Sequence, residues 1–427
     1  MNRGFFGLFF ICLCAIEINA ARRIGKLNSQ TWQEHLDFGS NGGFYAPSND
    51  YPDLGVVGVL KSENGLVGTA TLIAPNVIVS AAHVIKDSFS DPLPTENEWS
   101  FILSSDFEQA VSSEIYSVSG FVIHPTWLER QDLGINDGYG DGDKLGVDLC
   151  LGFLSEEVVG VYPSPLHDSK EEWIGQRVII AGYGTWIDGL DGFYSSSKSN
   201  RMAGENILDR VVQEVVIDSI SVDARGGLLA VDFDSPQQNT NYLGSEYENT
   251  DFLGTGSSDP IPLSLEISTA KGDSGGPLFT NKDGNWGVSG VVSYGTDNSS
   301  MYGDITVFTR LGNHLQWIQN YLPNWAQARI LEGGSWRELD WFGAFLPFSS
   351  GWSFHQKIGW FFTAFSKSNE IWVWQEKLGW WWSSSVVFPY LYSNSRQSWL
   401  FLELESTNSS NFFIFDYSQN SWESLLL

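Results

Sequence analysis

Lys271-Gly-Asp-Ser-Gly-Gly-Pro277 is the stretch of this chain with the most evident chemistry. A serine hydroxyl is a poor nucleophile until a neighbour accepts its proton, so Ser274 needs a base. The flanking glycines let the backbone turn sharply and aim the N–H groups of Gly272 and Ser274 at one developing oxyanion. Asp273 is expected to turn inward to an ion-pair partner that holds this loop. The base is read at His83, where Val79-Ser-Ala-Ala-His83-Val84 ends an apolar strand in two alanines that permit close backbone packing. Its competitor is His124, read as a turn residue before Pro125; His35, His167, His314 and His355 occupy polar or turn contexts. A third group must fix the imidazole tautomer and support imidazolium, and Asp148 heads the apolar run Asp148-Leu-Cys-Leu151. Together the three would attack an acyl carbon with an activated alcohol. A Gly-rich turn or a strand-capping Asp is ordinary when met alone.

The elements that must position these residues read as short strands. Val56–Leu60, Gly68–Ile73, Val77–Val79, Phe101–Leu103, Phe121–Ile123, Val178–Ile180, Val211–Val212, Val215–Ile217, Val288–Val292 and Ile305–Phe308 are apolar runs separated by Gly, Asn, Asp and Pro. Many such strands imply an all-β sandwich or a pair of barrels. One segment departs from the pattern. From Leu311 to Leu322 apolar residues recur at helical spacing and stop at Pro323, which predicts a closing helix and a domain boundary.

Seven elements in one order make residues 54–323 resemble the trypsin-like, chymotrypsin-fold serine peptidase family. They are Thr71-Leu-Ile-Ala-Pro with Ser80-Ala-Ala-His83, Ile123-His-Pro125, Val147-Asp-Leu149, Ala181-Gly-Tyr-Gly184, Gly272-Asp-Ser-Gly-Gly-Pro277, Val292-Ser-Tyr-Gly295 and Val307-Phe-Thr-Arg310. The order His83, Asp148, Ser274 is that of the chymotrypsin triad. The resemblance implies two six-stranded antiparallel Greek-key barrels, a cleft between them, a closing C-terminal helix and peptide-bond hydrolysis through an acyl-enzyme. It places Ser268 at the base of the primary pocket, where members that cleave after Arg or Lys carry Asp, so an uncharged, small-to-medium side chain is expected. It leaves the entrance open at Gly295, narrows the interior at Thr306, and has Ser293, Tyr294 and Gly295 offer an edge strand to substrate. Glu266 and Lys271 are positions able to modify that preference. Family members are often zymogens, and Arg23-Ile24-Gly25 is a faint echo of their activation site. The absent disulfides and the insertion after Gly184 resemble bacterial members.

Two segments interrupt the β pattern. Residues 132–144 form an acidic, Gly-rich loop, read as solvated because its carboxylates match no calcium-loop spacing. Residues 188–260 are a long polar insertion with strand-like pieces such as Leu228–Val231. Beyond Pro323 lie twelve of the 19 Trp residues. There Phe354-His-Gln-Lys-Ile-Gly-Trp-Phe-Phe362 aligns with Trp374-Gln-Glu-Lys-Leu-Gly-Trp-Trp-Trp382, which implies one hairpin unit used twice. Residues 324–427 are therefore read as a small aromatic-rich β module. Most of its Trp residues are expected to fill a core, with exposed rings left for a cell-surface or glycan contact.

Composition sets the outer limits. The chain has 427 residues, enough for two or three domains, and a formal charge of −28, which argues against nucleic acid and anionic membranes. Residues 1–20, with Arg3, an apolar run from Gly4 to Ile16 and Ala20-Ala21, read as an export signal followed by a segment to residue 53. Export would make this a secreted or extracytoplasmic protein with no membrane span. Removal of the signal takes Cys12 and Cys14 and leaves Cys150 as a buried small hydrophobe, so no intramolecular disulfide is expected. No cofactor or metal is expected. The alternative reading is a silent peptidase fold serving as a surface or glycan-binding adhesin.

Overall fold

β-Branched and aromatic residues, punctuated by turn formers, give strands almost throughout. The computed structural model describes residues 25–26, 32–86, 93–129, 143–168, 172–186, 189, 199–217, 220–236, 240–244, 253–254, 256–295, 301–348, 350–367, 370–408 and 411–426. The export signal, Arg23, Ile24 and acidic-loop residues 132–142 lie outside the described residues.

Six strands close the first barrel: β1 (Val57–Ser62), β2 (Val67–Ala74), β3 (Val77–Ser80), β4 (Trp99–Ile102), β5 (Ile115–Ile123) and β6 (Cys150–Leu154). Their order is β1-β2-β3-β6-β5-β4, with β4 pairing back onto β1. Every pair is antiparallel, and Val59, Leu72, Ile78, Phe101 and Leu151 are wholly buried.

The second barrel of the expected pair is a half-barrel on a nine-stranded sheet. It contains β7 (Arg177–Gly182), β8 (Met202–Ile207), β9 (Arg210–Ile217), β10 (Ile220–Asp232), β11 (Pro277–Lys282), β12 (Asn285–Gly295) and β13 (Ile305–Arg310). The order is β8-β7-β11-β12-β13-β10-β9, with Leu265–Glu266 joining β8 and Gly25–Lys26 outermost. The insertion supplies the long hairpin β9–β10, which widens the sheet. Helix α1 (Trp32–Gly39) packs against β8, and Phe38 stacks on Tyr45.

The closing helix is shorter than its periodicity predicts. A 3-10 turn, Leu311–Asn313, is followed by a five-residue helix, Leu315–Gln319. Between them His314, tied through Nε2 to the Gly146 carbonyl (2.6 Å), takes φ −114°, which no helix continues.

Beyond it an antiparallel meander of eleven strands runs from Arg329 to Leu426. The repeated sequences are its adjacent hairpins, His355 facing Gly359 and Gln375 facing Gly379, with Ile358 and Leu378 plugged into the core. One face is buried through Phe345, Phe361, Val373, Trp381, Leu400 and Ile414. Here the expectation of a Trp-filled core is corrected. Trp325 and Trp381 are buried, whereas Trp352, Trp360, Trp380, Trp399 and Trp422 are exposed. Strand alternation puts the cross-strand pairs Trp372/Trp382 and Trp374/Trp380 on the same side as the exposed rings, where edge-on contacts such as Trp352–Trp374 link them.

The meander is clamped to the first barrel. The Gly160 N–H donates to the Ile330 carbonyl (2.9 Å), Gln327 Nε2 to the Ile73 carbonyl (2.9 Å) and the Tyr162 hydroxyl to Glu338 (2.8 Å). Arg329 covers the Tyr162 ring, and Arg337 pairs with Glu157.

Candidate active site

β3 ends at Ser80, and after Ala81 a single helical turn, α2 (Ala82–Ile85), begins at once. Ala81 and Ala82 are fully buried, and their small side chains let the turn carrying His83 settle against the barrel. Asp148 precedes β6 on the neighbouring strand. Its carboxylate is inaccessible to solvent and accepts the His83 backbone N–H at Oδ1 (2.9 Å), with His83 Nδ1 at Oδ2 (2.7 Å). A carboxylate facing Nδ1 holds the proton there and makes Nε2 the accepting nitrogen. The Ser293 hydroxyl donates to the same Oδ2 (2.6 Å), and the Thr309 hydroxyl to the Asp148 carbonyl (3.0 Å).

His124, the competing histidine, lies against His314 and Trp317, where burial pushes it down to about 4. Asp143, at the end of the acidic loop, is not solvated as the sequence suggested. It is fully buried and accepts N–H bonds from Leu145 (3.1 Å), Val147 (2.7 Å) and Asp148 (2.8 Å). Burial and then the nearby Asp148 charge raise it to about 6.

Ser274 stands half-buried on the turn before β11. Gly272 takes φ +103°, open to glycine alone at little cost. Asp273 is turned inward and fully buried, and it accepts from two backbone donors, the Gly184 N–H (2.9 Å) and the Ala270 N–H (2.9 Å). The turn abuts the strands that lead to His83. The Thr69 N–H donates to the Ser274 carbonyl (2.8 Å), and a Cβ placed on Gly275 would lie 2.1 Å from Ser80 Oγ and 3.0 Å from the Ala81 nitrogen. The Ser274 turn and the His83 turn therefore meet across the boundary between the barrels.

The expected pocket residues are partly gathered. Ser268 and Thr306 are fully buried with hydroxyl oxygens 2.7 Å apart, and Thr269 Oγ1 lies 3.0 Å from Thr306. Lys271 is exposed, and its carbonyl accepts the Thr185 N–H (2.9 Å). Tyr294 is buried and Gly295 half-buried on β12. Ser293 sits where the β12–β13 register shifts, a bulge that turns its hydroxyl to Asp148. Sequence reasoning gave it only a backbone contact; a one-residue register shift leaves no trace in a hydrophobic pattern. Glu266 is buried and bonded to the Asp234 N–H (2.7 Å), so it does not line an open surface. Asp209 and Asp232 share the Ser258 hydroxyl, and burial raises both. Among the described residues no group of His, Cys, Asp and Glu is arranged to hold a metal ion.

Comparison with known proteins agrees with this architecture. The Trypsin family profile matches residues 245–318, which hold Ser268, Ser274, Ser293 and Thr306. Spermosin of Halocynthia roretzi is 38% identical over 64 residues, 15% of this chain and 16% of the relative. Chymotrypsin-C of Bos taurus is 45% identical over 58 residues, 13% and 22% of the two chains. Melanization protease 1 of Drosophila melanogaster is 40% identical over 58 residues, 13% and 14%. The aligned parts thus span less than a quarter of each relative.

Proposed function

We propose that this chain, trypsin-like in sequence and chymotrypsin-like in fold, is a serine endopeptidase. The observation that carries the reading is the buried Asp148 carboxylate holding His83 beside the turn that bears Ser274. His83 Nε2 takes the proton of the Ser274 hydroxyl as its oxygen attacks the scissile carbonyl. The carbonyl oxygen becomes an oxyanion held by the N–H groups of Gly272 and Ser274. His83 then protonates the leaving amine, and water repeats the sequence on the acyl-enzyme. Asp148 stays ionised and fixes the tautomer. A pocket floored by the hydroxyls of Ser268 and Thr306 would present no charge at that floor to pair with Arg or Lys, which supports a preference for uncharged side chains. The edge of β12 at Ser293–Gly295 would take the extended peptide.

Fluorophosphonate labelling with a peptide-library digest tests this, wild type beside Ser274→Ala. Labelling and cleavage in the wild type alone are expected. Neither in the wild type would leave the silent, adhesin-like reading in its place.

For residues 324–427 the outward rings favour a neutral glycan. A depression of about 520 Å³ lined by Tyr390, Gln397, Ser398, Trp399, Tyr417 and Ser418 offers ring faces beside amide and hydroxyl groups. Retention on neutral polysaccharide by the full chain, lost in Trp399→Ala, is the expected outcome; equal retention refutes it. The signal-like residues 1–20 and the acidic composition support action outside the cytoplasm. Absence of the chain from the secreted or extracytoplasmic fraction of expressing cells would refute that.

A further inference from the structure

We infer that Thr69 is a positioning residue for the oxyanion donors, an inference that rests on the peptidase reading above. Thr69 lies on β2 of the first barrel and is wholly buried. Its hydroxyl donates to the Gly272 carbonyl (2.9 Å) and accepts the Tyr183 N–H (3.2 Å). Its own N–H donates to the Ser274 carbonyl (2.8 Å), and its carbonyl accepts the Ser80 hydroxyl (2.8 Å). One side chain of the first barrel thus engages two loops of the second, the Gly272–Ser274 turn and the segment around Tyr183.

What these bonds hold decides the role. The Ser274 N–H belongs to the peptide joining Asp273 and Ser274. Thr69 grips the peptide on either side of it, through the Gly272 carbonyl before and the Ser274 carbonyl after. With both neighbours fixed, that N–H has little freedom to swing from the place an oxyanion would occupy. The latch has something to oppose, because Gly272, at φ +103°, has no side chain to restrict its rotation. Donors fixed beforehand cost no reorganisation when charge develops on the substrate oxygen. Losing the hydroxyl would leave the Gly272 carbonyl and the Tyr183 N–H buried without this partner, a strong incentive for the turn to rearrange.

The consequence falls on the transition state, not on ground-state binding, because the oxyanion exists only in the former. Thr69→Val keeps the shape and removes the hydroxyl; Thr69→Ser keeps the hydroxyl and removes the methyl. In hydrolysis of a peptide amide, Thr69→Val is expected to lower kcat about thirtyfold, with KM within about threefold of wild type. Thr69→Ser is expected to stay within about threefold in both constants. Thr69→Cys, with a weaker donor, should fall between, and serves in place of Val if that variant does not fold. Two results overturn the inference. One is a kcat for Thr69→Val, or for Thr69→Cys in its stead, within threefold of wild type. The other is equal loss in Thr69→Ser, which would assign the effect to packing. Failure of the peptidase reading looks different: wild type would then match Ser274→Ala.

Discussion

Gly184→Ala tests how the Gly272–Ser274 turn, the proposed oxyanion loop, is held. A Cβ on residue 184 would lie 2.2 Å from Asp273 Oδ2 and 2.5 Å from its Cγ, closer than real contacts allow. The Asp273 carboxylate is fully buried and cannot swing into water without dragging its turn. Displacing it breaks the bonds from the Gly184 N–H and the Ala270 N–H, both 2.9 Å. Hydrogen bonds to a charged group contribute about 1.5–3 kcal/mol each, so about 3–6 kcal/mol of local order is at stake. That rivals the whole stability of a marginal domain, and the turn is expected to rearrange before the barrels unfold. If half of the lower figure reaches the transition state, kcat/KM falls about tenfold; if all of the upper figure does, about 10⁴-fold. A value near a hundredfold is expected from amide hydrolysis, with circular dichroism unchanged. Gly120→Ala on β5 is the control, because a Cβ there meets nothing within 4 Å, and it should stay within twofold. A Gly184→Ala enzyme within threefold of wild type would show that Asp273 does not govern the loop.

Ser268→Asp buries a carboxylate beside Thr306 and should shift cleavage towards Arg and Lys in a library digest; an unchanged preference in an active variant refutes the pocket assignment. Burial, then the charges of Asp232 and Asp259, raise Asp234 to about 8, above its unfolded value. The stability this group contributes is therefore full below pH 4 and is lost as pH rises through about 8. Asp234→Asn should flatten the fall in melting temperature between pH 5 and 8.5, and parallel curves would count against it. Trp381→Ala empties a wholly buried site in the aromatic sheet and should cost about 3–5 kcal/mol in denaturant unfolding, against under 1 if the sheet repacks.

Much of the site was legible because its chemistry is written locally. Gly272–Pro277 offers the proposed nucleophile, the turn and the proposed donors in consecutive residues, and Ala-Ala before His83 shows close packing. What was missed depends on direction. Thr69 reads as one more residue of an apolar strand, and only the packing of β2 against the Ser274 turn across the barrel boundary aims its hydroxyl at Gly272. Ser293 needs the bulge in β12, and Asp143 looked like part of a solvated loop because its three N–H partners follow it in ordinary sequence. Among the folds, the tail was recognised as hairpins from its repeat. Period-two alternation could not say which face was inside, and the tryptophans took the outer one.

The clamp between the aromatic sheet and residues 157–164 bears on how such an enzyme would meet its target. A module on a slack tether raises the local concentration of whatever it grips, in every direction its leash allows. Here hydrogen bonds and an ion pair seat the sheet directly on the first barrel, so a surface held by it would be offered to the proposed cleft at one bearing and one range. Lengthening the connection at Pro323 would leave the grip intact and spoil the aim.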